Sequence, residues 1–197
     1  MDNKTKEIIT DRFLIRYTSL AGLICIERNP LMDARGYFER LFCEKELETI
    51  LAKRRIVQIN HTFTAKKGSI RGLHFQYPPY AEMKFVTCIK GEVFDIAVDI
   101  RKGSPTFLKW HGEILTQDNF KTLIIPEGFA HGFQTLQDGT EIIYFVSSFY
   151  NPSAEGGLNP FDPKISIKWP TEVREVSDKD SKWPLIDDSF KGIEMAI

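Results

Sequence analysis

Through most of the chain, apolar and polar positions alternate with a period of two. Phe94, Ile96, Val98 and Ile100 interleave with Asp95, Ala97 and Asp99, and Ile165, Ile167 and Trp169 interleave with Ser166 and Lys168. Successive side chains of an extended chain point to opposite faces, so these runs predict strands that turn one face to a core. Turn dipeptides separate the runs at intervals of about 8–14 residues: Lys67-Gly68, Pro78-Pro79, Lys90-Gly91, Lys102-Gly103, Asp118-Asn119, Glu127-Gly128, Asp138-Gly139 and Asn151-Pro152. Many short strands joined by regular turns indicate an antiparallel sandwich or barrel. One segment breaks the pattern: Leu47, Ile50 and Leu51, set among charges, have helical spacing and predict an amphipathic helix over residues 44–53.

The ends read differently. Residues 1–18 are polar and mixed, and read as a mobile arm or a strand lent to a neighbour. Residues 173–182 are highly charged with little periodicity, and read as a polar tail with one helical turn. The expected division is an arm over 1–18, one β domain over 19–188 that takes in the tail, and a short C-terminal end over 189–197.

Composition narrows the class. At roughly 150 residues per domain, 197 residues suit a single core. With 26 basic against 27 acidic side chains, there is no electrostatic basis for nucleic acid or anionic membrane as a partner. The apolar run at residues 20–26 is far shorter than the ~20 residues of a spanning helix, and no basic segment feeds into it as in a signal peptide. Cys25, Cys43 and Cys88 are scattered and odd in number, which fits reduced thiols in the cytoplasm better than a disulfide frame or a zinc site.

The candidate chemistry begins at Pro126-Glu127-Gly128-Phe129-Ala130-His131. This Pro-x-Gly-x-x-His spacing is shared by small jelly-roll barrels of the cupin type, in which the turn delivers a histidine to the interior. A metal-binding barrel needs a partner His-x-His followed closely by Glu. Here the corresponding stretch reads His74-Phe75-Gln76, with Tyr80 and Ala81 where the carboxylate should fall. His74 and His131 are two ligands, one short of the usual three at a catalytic metal, so no metal is expected.

Strand geometry places other groups. His74 and Gln76 share a face, as do Lys84, Val86 and Cys88. Ile142, Tyr144, Val146, Ser148 and Tyr150 share another, with the two tyrosines about 20 Å apart at roughly 3.3 Å per residue. Each of these has an ordinary structural explanation alone: a core histidine with a partner, a lysine reaching the rim, a tyrosine filling volume. Together they suit proton abstraction beside a carbonyl. Histidine serves as base, the lysine ammonium steadies an enolate oxygen, and tyrosine returns a proton to the other face. A carboxylate is needed to hold the histidine tautomer. Asp95, Asp99 and Asp180 all qualify, and spacing does not choose among them.

Four blocks carry a resemblance: Arg71-Gly72-Leu73-His74-Phe75-Gln76, residues 91–101, residues 126–133 and Ile167-Lys168-Trp169-Pro170. In order, and within a likeness running from about residue 20 to residue 188, they resemble the dTDP-4-dehydrorhamnose 3,5-epimerase family. The resemblance implies an all-β fold, a cupin-type antiparallel jelly-roll barrel with a few short helices. It also implies a homodimer, no metal or other cofactor, and a nucleotide-linked 4-keto-6-deoxyhexose as substrate. By motif it makes His74 the base, Tyr144 the proton donor, Lys84 the group at the keto oxygen and Asp180 the partner of the base. It makes His131 a substrate contact. For the nucleotide end it implies Arg35 and Glu39 in Arg35-Gly36-Tyr37-Phe38-Glu39, then Gln58, Asn60 and Arg71. Tyr150 matches the aromatic that stacks on thymine, and Glu155 and Lys179 match further binding positions.

The chain departs from the family at three places. Leu158-Asn159-Pro160-Phe161-Asp162-Pro163 replaces a late turn that usually holds a Trp before the Asp, Met83 precedes the lysine where Gly is common, and Thr87 stands where Arg is frequent. The altered turn is similar to that of epimerases for other deoxysugars, some of which invert one carbon only. The alternatives are therefore a mono-epimerase, a 3,4-ketoisomerase, and a barrel that binds sugar nucleotides without catalysis.

Overall fold

The alternating runs become paired strands in a computed structural model that describes residues 7–195. The chain opens with β1 (Glu7–Ile9), β2 (Phe13–Tyr17), β3 (Ile24–Arg28), β4 (Leu31–Asp33) and β5 (Gly36–Phe38). A single helical turn, α1 (Glu48–Leu51), leads to β6 (Gln58–Thr64), β7 (Ser69–Gln76), β8 (Lys84–Lys90), β9 (Glu92–Asp99) and β10 (Trp110–Thr116). Then follow β11 (Lys121–Ile125), β12 (Phe129–Thr135), β13 (Thr140–Val146), β14 (Glu155–Gly157), β15 (Glu175–Val176) and a second turn, α2 (Asp178–Ser181). No helix among the described residues is long and apolar enough to cross a membrane.

Two sheets face each other. One runs β1-β2-β3-β11-β8-β13-β6, and the other runs β10-β9-β12-β7-β14 with β15 beside β7. Pairing is antiparallel except for β15, which lies parallel to β7. Between the sheets pack Val86, Cys88, Val93, Ala97, Leu123, Phe129, Phe133 and Ile142. Both outer faces are covered as well. Phe13, Ile15, Ile26 and Phe85 pack under Leu47, Ile50 and Leu51 of the α1 segment, while Leu73, Ile96 and Val98 pack under Ile165 and Ile186. Each such fully buried side chain contributes about 1.5–3 kcal/mol by leaving water. Because β9 is covered on both faces, its apolar residues 94, 96 and 98 face the C-terminal segment, and Asp95 and Asp99 become fully buried. Asp99 accepts hydrogen bonds from Arg101, Ser104 and Thr106.

Several expectations change. The helix expected over 44–53 is one turn long, because Ala52 swings to φ 53° and closes it, although Leu47, Ile50 and Leu51 are buried as their spacing implies. Residues 165–169 join no ladder, since Ser166 at φ 54° breaks the extended run, and their apolar set packs on the outer face of the second sheet. Of the arm expected over 1–18, residues 1–6 lie outside the described residues. Phe13–Tyr17 pairs with β3 of its own chain, burying Phe13 and Ile15. The C-terminal end also stays on the barrel: Ile193 is buried, donates to Ile100 O and accepts from Lys102 N–H. The 173–182 tail holds β15 and the one helical turn.

Candidate functional site

The site is built where β7 and β12 come unusually close. His74 pairs with His131 and Arg71 with Phe133, with a register shift between them. At this shift Gly72 faces Gly132. A Cβ on Gly72, whose φ is +116°, would fall 2.6 Å from Gly132 Cα and 2.7 Å from His131 O, so only glycine fits. The bulge turns the Gly72 N–H toward the C-terminal segment, where it donates to Asp180 Oδ2 at 3.0 Å.

Asp180 comes from α2, whose leading end is capped by Ser177: its Oγ accepts the Asp180 N–H at 3.1 Å. The other carboxylate oxygen, Oδ1, lies 2.6 Å from His74 Nε2. Burial pushes the Asp180 carboxyl up, but the hydrogen bonds from His74 and from Gly72 N–H outweigh it and hold the group below the usual carboxylate range. An ionised Asp180 takes the Nε2 proton as its hydrogen bond, which leaves Nδ1 as the basic nitrogen of His74.

Lys84 and Tyr144 stand on neighbouring strands, β8 and β13. Lys84 is buried and its Nζ lies 3.2 Å from Glu82 Oε1. Burial, together with the charge of Glu82, pushes the Tyr144 phenol above its ordinary value against a smaller opposing effect of Arg71. Tyr144 is therefore protonated at neutral pH and able to donate. His131 Nε2 lies 2.8 Å from Asp95 Oδ1, deep in the barrel.

Two cavities open on these groups. The larger, about 590 Å³, is lined by Arg71, His74, Lys84, His131, Phe133, Tyr144, Lys179 and Asp180, among others. The second, about 350 Å³, is lined by Gln58, Asn60, His74, Gln76, Glu82, Lys84, Tyr144, Tyr150 and Glu155. His74, Lys84 and Tyr144 line both. Beyond them, Glu155 ties the two regions together: it accepts from Tyr150 O–H at 2.9 Å and lies 2.5 Å from Lys179 Nζ. Burial pushes the Glu155 carboxyl up, and the hydrogen bonds from Lys179 and Tyr150 more than reverse this. Arg71 donates from Nε to Thr64 Oγ1 and from a terminal nitrogen to Phe63 O, which leaves part of its fork for an anion.

Eleven of the thirteen expected site residues thus line these cavities. Arg35 and Glu39 do not. Their hairpin, β4–β5, joins neither sheet: Arg35 pairs with Asp33, and Glu39 pairs at 2.6 Å with the buried Arg28 of β3. Tyr150 also arrives by another route than expected. β13 ends at Val146, and Gln76 then holds the Asn151 N–H, so the strand face does not run on to Tyr150. Of the three candidate carboxylates, Asp180 meets His74, Asp95 meets His131 and Asp99 stays in its own turn. No motif singles out Glu82, although it lies two positions before Lys84 and so on the side of the strand that alternation assigns to the lysine. Among the described residues, no three His, Cys, Asp or Glu side chains gather as a metal-holding group.

Comparison with known proteins gives a consistent result. The family model for dTDP-4-dehydrorhamnose 3,5-epimerase matches residues 17–188. The chain is 44% identical to the dTDP-4-dehydrorhamnose 3,5-epimerase of Shigella flexneri over 164 residues, which cover 83% of this chain and 90% of that protein. It is similar to the solved dTDP-6-deoxy-D-glucose-3,5-epimerase of Legionella pneumophila in complex with dTDP-4-keto-L-rhamnose, with a TM-score of 0.85 and 38% identity over 92% of this chain and 98% of that one. It is also similar to the Bacillus anthracis dTDP-4-dehydrorhamnose 3,5-epimerase with TDP and PPi bound, with a TM-score of 0.83 and 39% identity over 86% and 97%.

Proposed function

Because this chain belongs to the dTDP-4-dehydrorhamnose 3,5-epimerase family, we propose that it inverts C3 and C5 of a dTDP-linked 4-keto-6-deoxyhexose in deoxysugar biosynthesis. The observation that carries the reading is the His74–Asp180 contact at 2.6 Å, set at the junction of two cavities that Lys84 and Tyr144 also line. His74 Nδ1 takes the proton from the carbon beside the ketone. The C–H pair becomes the carbon–carbon double bond and the carbonyl π pair moves to the ketone oxygen, giving an enolate whose charge the Lys84 ammonium balances. Tyr144 then donates its proton to the opposite face of the same carbon, the electron pair returns from oxygen, and the ketone is restored with that centre inverted. No oxidant or cofactor enters this balance.

Arg71, Gln58, Asn60, Lys179 and Glu155 serve the nucleotide end, with Tyr150 as the stacking aromatic and His131 as a sugar contact. The enzyme works as a cytoplasmic homodimer on this reading. Three free cysteines suit a reducing compartment. Leu31, Met32, Tyr37 and Phe38 of the hairpin and Ile59 and Phe63 of the edge strand β6 are exposed apolar groups that a second copy would cover. Arg35 and Glu39, away from the cavities of their own chain, then serve the site as part of that interface.

Proton NMR of dTDP-4-keto-6-deoxyglucose incubated with the protein in D₂O tests the reaction. Deuterium at both C3 and C5, with a rhamnose product trapped by a reductase, is the expected result. Label at one carbon marks a mono-epimerase, the second reading that the Asn159-Pro160-Phe161 turn favours. A shifted carbonyl marks a ketoisomerase, and no exchange overturns catalysis on this substrate.

A further inference from the structure

The turn that carries Asp180 has little regular structure to support it. β15 is two residues long and α2 four, after which the chain runs on through Trp183. Ser177 holds the leading end. At the trailing end, carbonyl groups that so short a helix leaves open need outside donors, and one side chain serves the last of them together with a carbonyl just past the helix. Asn159 Nδ2 donates to Ser181 O at 3.1 Å and to Trp183 O at 3.0 Å. Its Oδ1 accepts the Phe161 N–H at 3.0 Å. The amide nitrogen faces two carbonyls and the amide oxygen faces an N–H, so this orientation alone satisfies all three contacts.

Asn159 is also tied to the strand that bears His74. The preceding residue, Leu158, pairs through both backbone groups with Leu73, at 3.0 and 3.2 Å. A short path therefore runs from Leu73, beside His74, through Leu158 and the Asn159 amide to Ser181, beside Asp180. Trp183 seats the same segment on β14, where any Cβ on Gly157 would collide with its indole.

We propose that Asn159 is a positioning residue for the base: by holding the Ser181 and Trp183 carbonyls, it keeps Asp180 against His74 Nε2. The proposal deepens the epimerase reading and rests on it for its kinetic consequence. It assigns a task to a residue of the departing turn that the catalytic chemistry itself does not use.

Asn159→Asp is nearly isosteric and retains the acceptor for Phe161 N–H, but turns an oxygen toward two carbonyls. Its kcat for solvent deuterium exchange is expected to fall roughly ten- to hundredfold, the scale of an ångström misplacement at a catalytic group. KM is unchanged. Asn159→Ala, which adds no charge, falls in the same direction and guards against a folding defect in the first variant. In an Asp180→Asn background, Asn159→Asp causes no further loss, since the two act through one contact. A readout independent of turnover is the downfield NMR resonance of the imidazole proton shared by His74 and Asp180. Asp180→Asn abolishes it, and Asn159→Asp shifts or broadens it. A native protein without exchange activity sinks the epimerase reading while this resonance still reports on Asn159. Unchanged kcat in an enzyme that exchanges, an unshifted resonance, or an equal loss in the Asp180→Asn background each overturns the proposal.

Discussion

Asp180 Oδ1 lies 2.6 Å from His74 Nε2 although the two residues are 106 positions apart. Strand β7 and a four-residue turn near the end of the chain thus act as one unit, with Gly72 N–H on the second carboxylate oxygen. On the proposed mechanism, separating them removes the support of the base.

The base and the donor should be separable. His74→Ala is expected to fold and to lose both deuterium exchange and turnover by about 10²-fold or more, the usual worth of a placed general base. Tyr144→Phe keeps exchange of the abstracted proton but forms little inverted product. Parallel NMR time courses distinguish the two, and full activity in His74→Ala would end the mechanism.

Stability should carry the signature of Asp180. Its carboxyl is held below the ordinary range in the folded protein, whereas in the unfolded chain it titrates near pH 4. Its contribution is therefore complete above about pH 4 and is lost as pH falls through the lowered folded value. Urea unfolding across this window should show the gap between native protein and Asp180→Asn narrowing toward low pH. A gap that stays constant contradicts the pairing.

Lys84 and Glu82 are each about one-tenth exposed at the side chain and 3.2 Å apart. Lys84→Met leaves the Glu82 charge with no counter-ion, at a cost of about 3 kcal/mol. Adding Glu82→Gln should recover most of that stability while activity stays lost. Denaturant midpoints and exchange rates measured on the same samples check both halves.

Gly72→Ala should destabilise by at least about 2 kcal/mol, because a Cβ meets the β12 backbone and the φ is unfavourable. A lower Tm accompanied by weaker exchange is expected, as the same shift disturbs the Asp180 contact. An unchanged melt refutes the close approach of β7 and β12.

If the exposed apolar hairpin and β6 form the contact between two copies, Phe38→Glu combined with Ile59→Glu should give a monomer by light scattering. These side chains face solvent in the single chain, so its fold should survive by circular dichroism.

The strand pattern, the inward direction of His74, Lys84 and Tyr144, and the apolar faces of β9 and β13 were legible because alternation is a local property of extended backbone. Residues 44–53 and 165–169 misled for the same reason. Their periodicity reports which side chains are buried, and it says nothing of Ala52 or Ser166 turning to positive φ and ending the element.

Fold class, family and the residue types brought to the chemistry were readable from the order of residues alone. Tertiary structure brings to His74 the Asp180 that spacing left among three candidates and that the resemblance singled out, and it alone pairs Asp95 with His131. The same holds for Glu82 beside Lys84, for Asn159 beneath the α2 turn, and for the removal of Arg35 and Glu39 from the cavities of their own chain. These pairings depend on where a bulge at Gly72 and a capped turn at Ser177 bring distant segments together. Hydrogen bonds act over about 3 Å, and separation along the chain carries no information at that range.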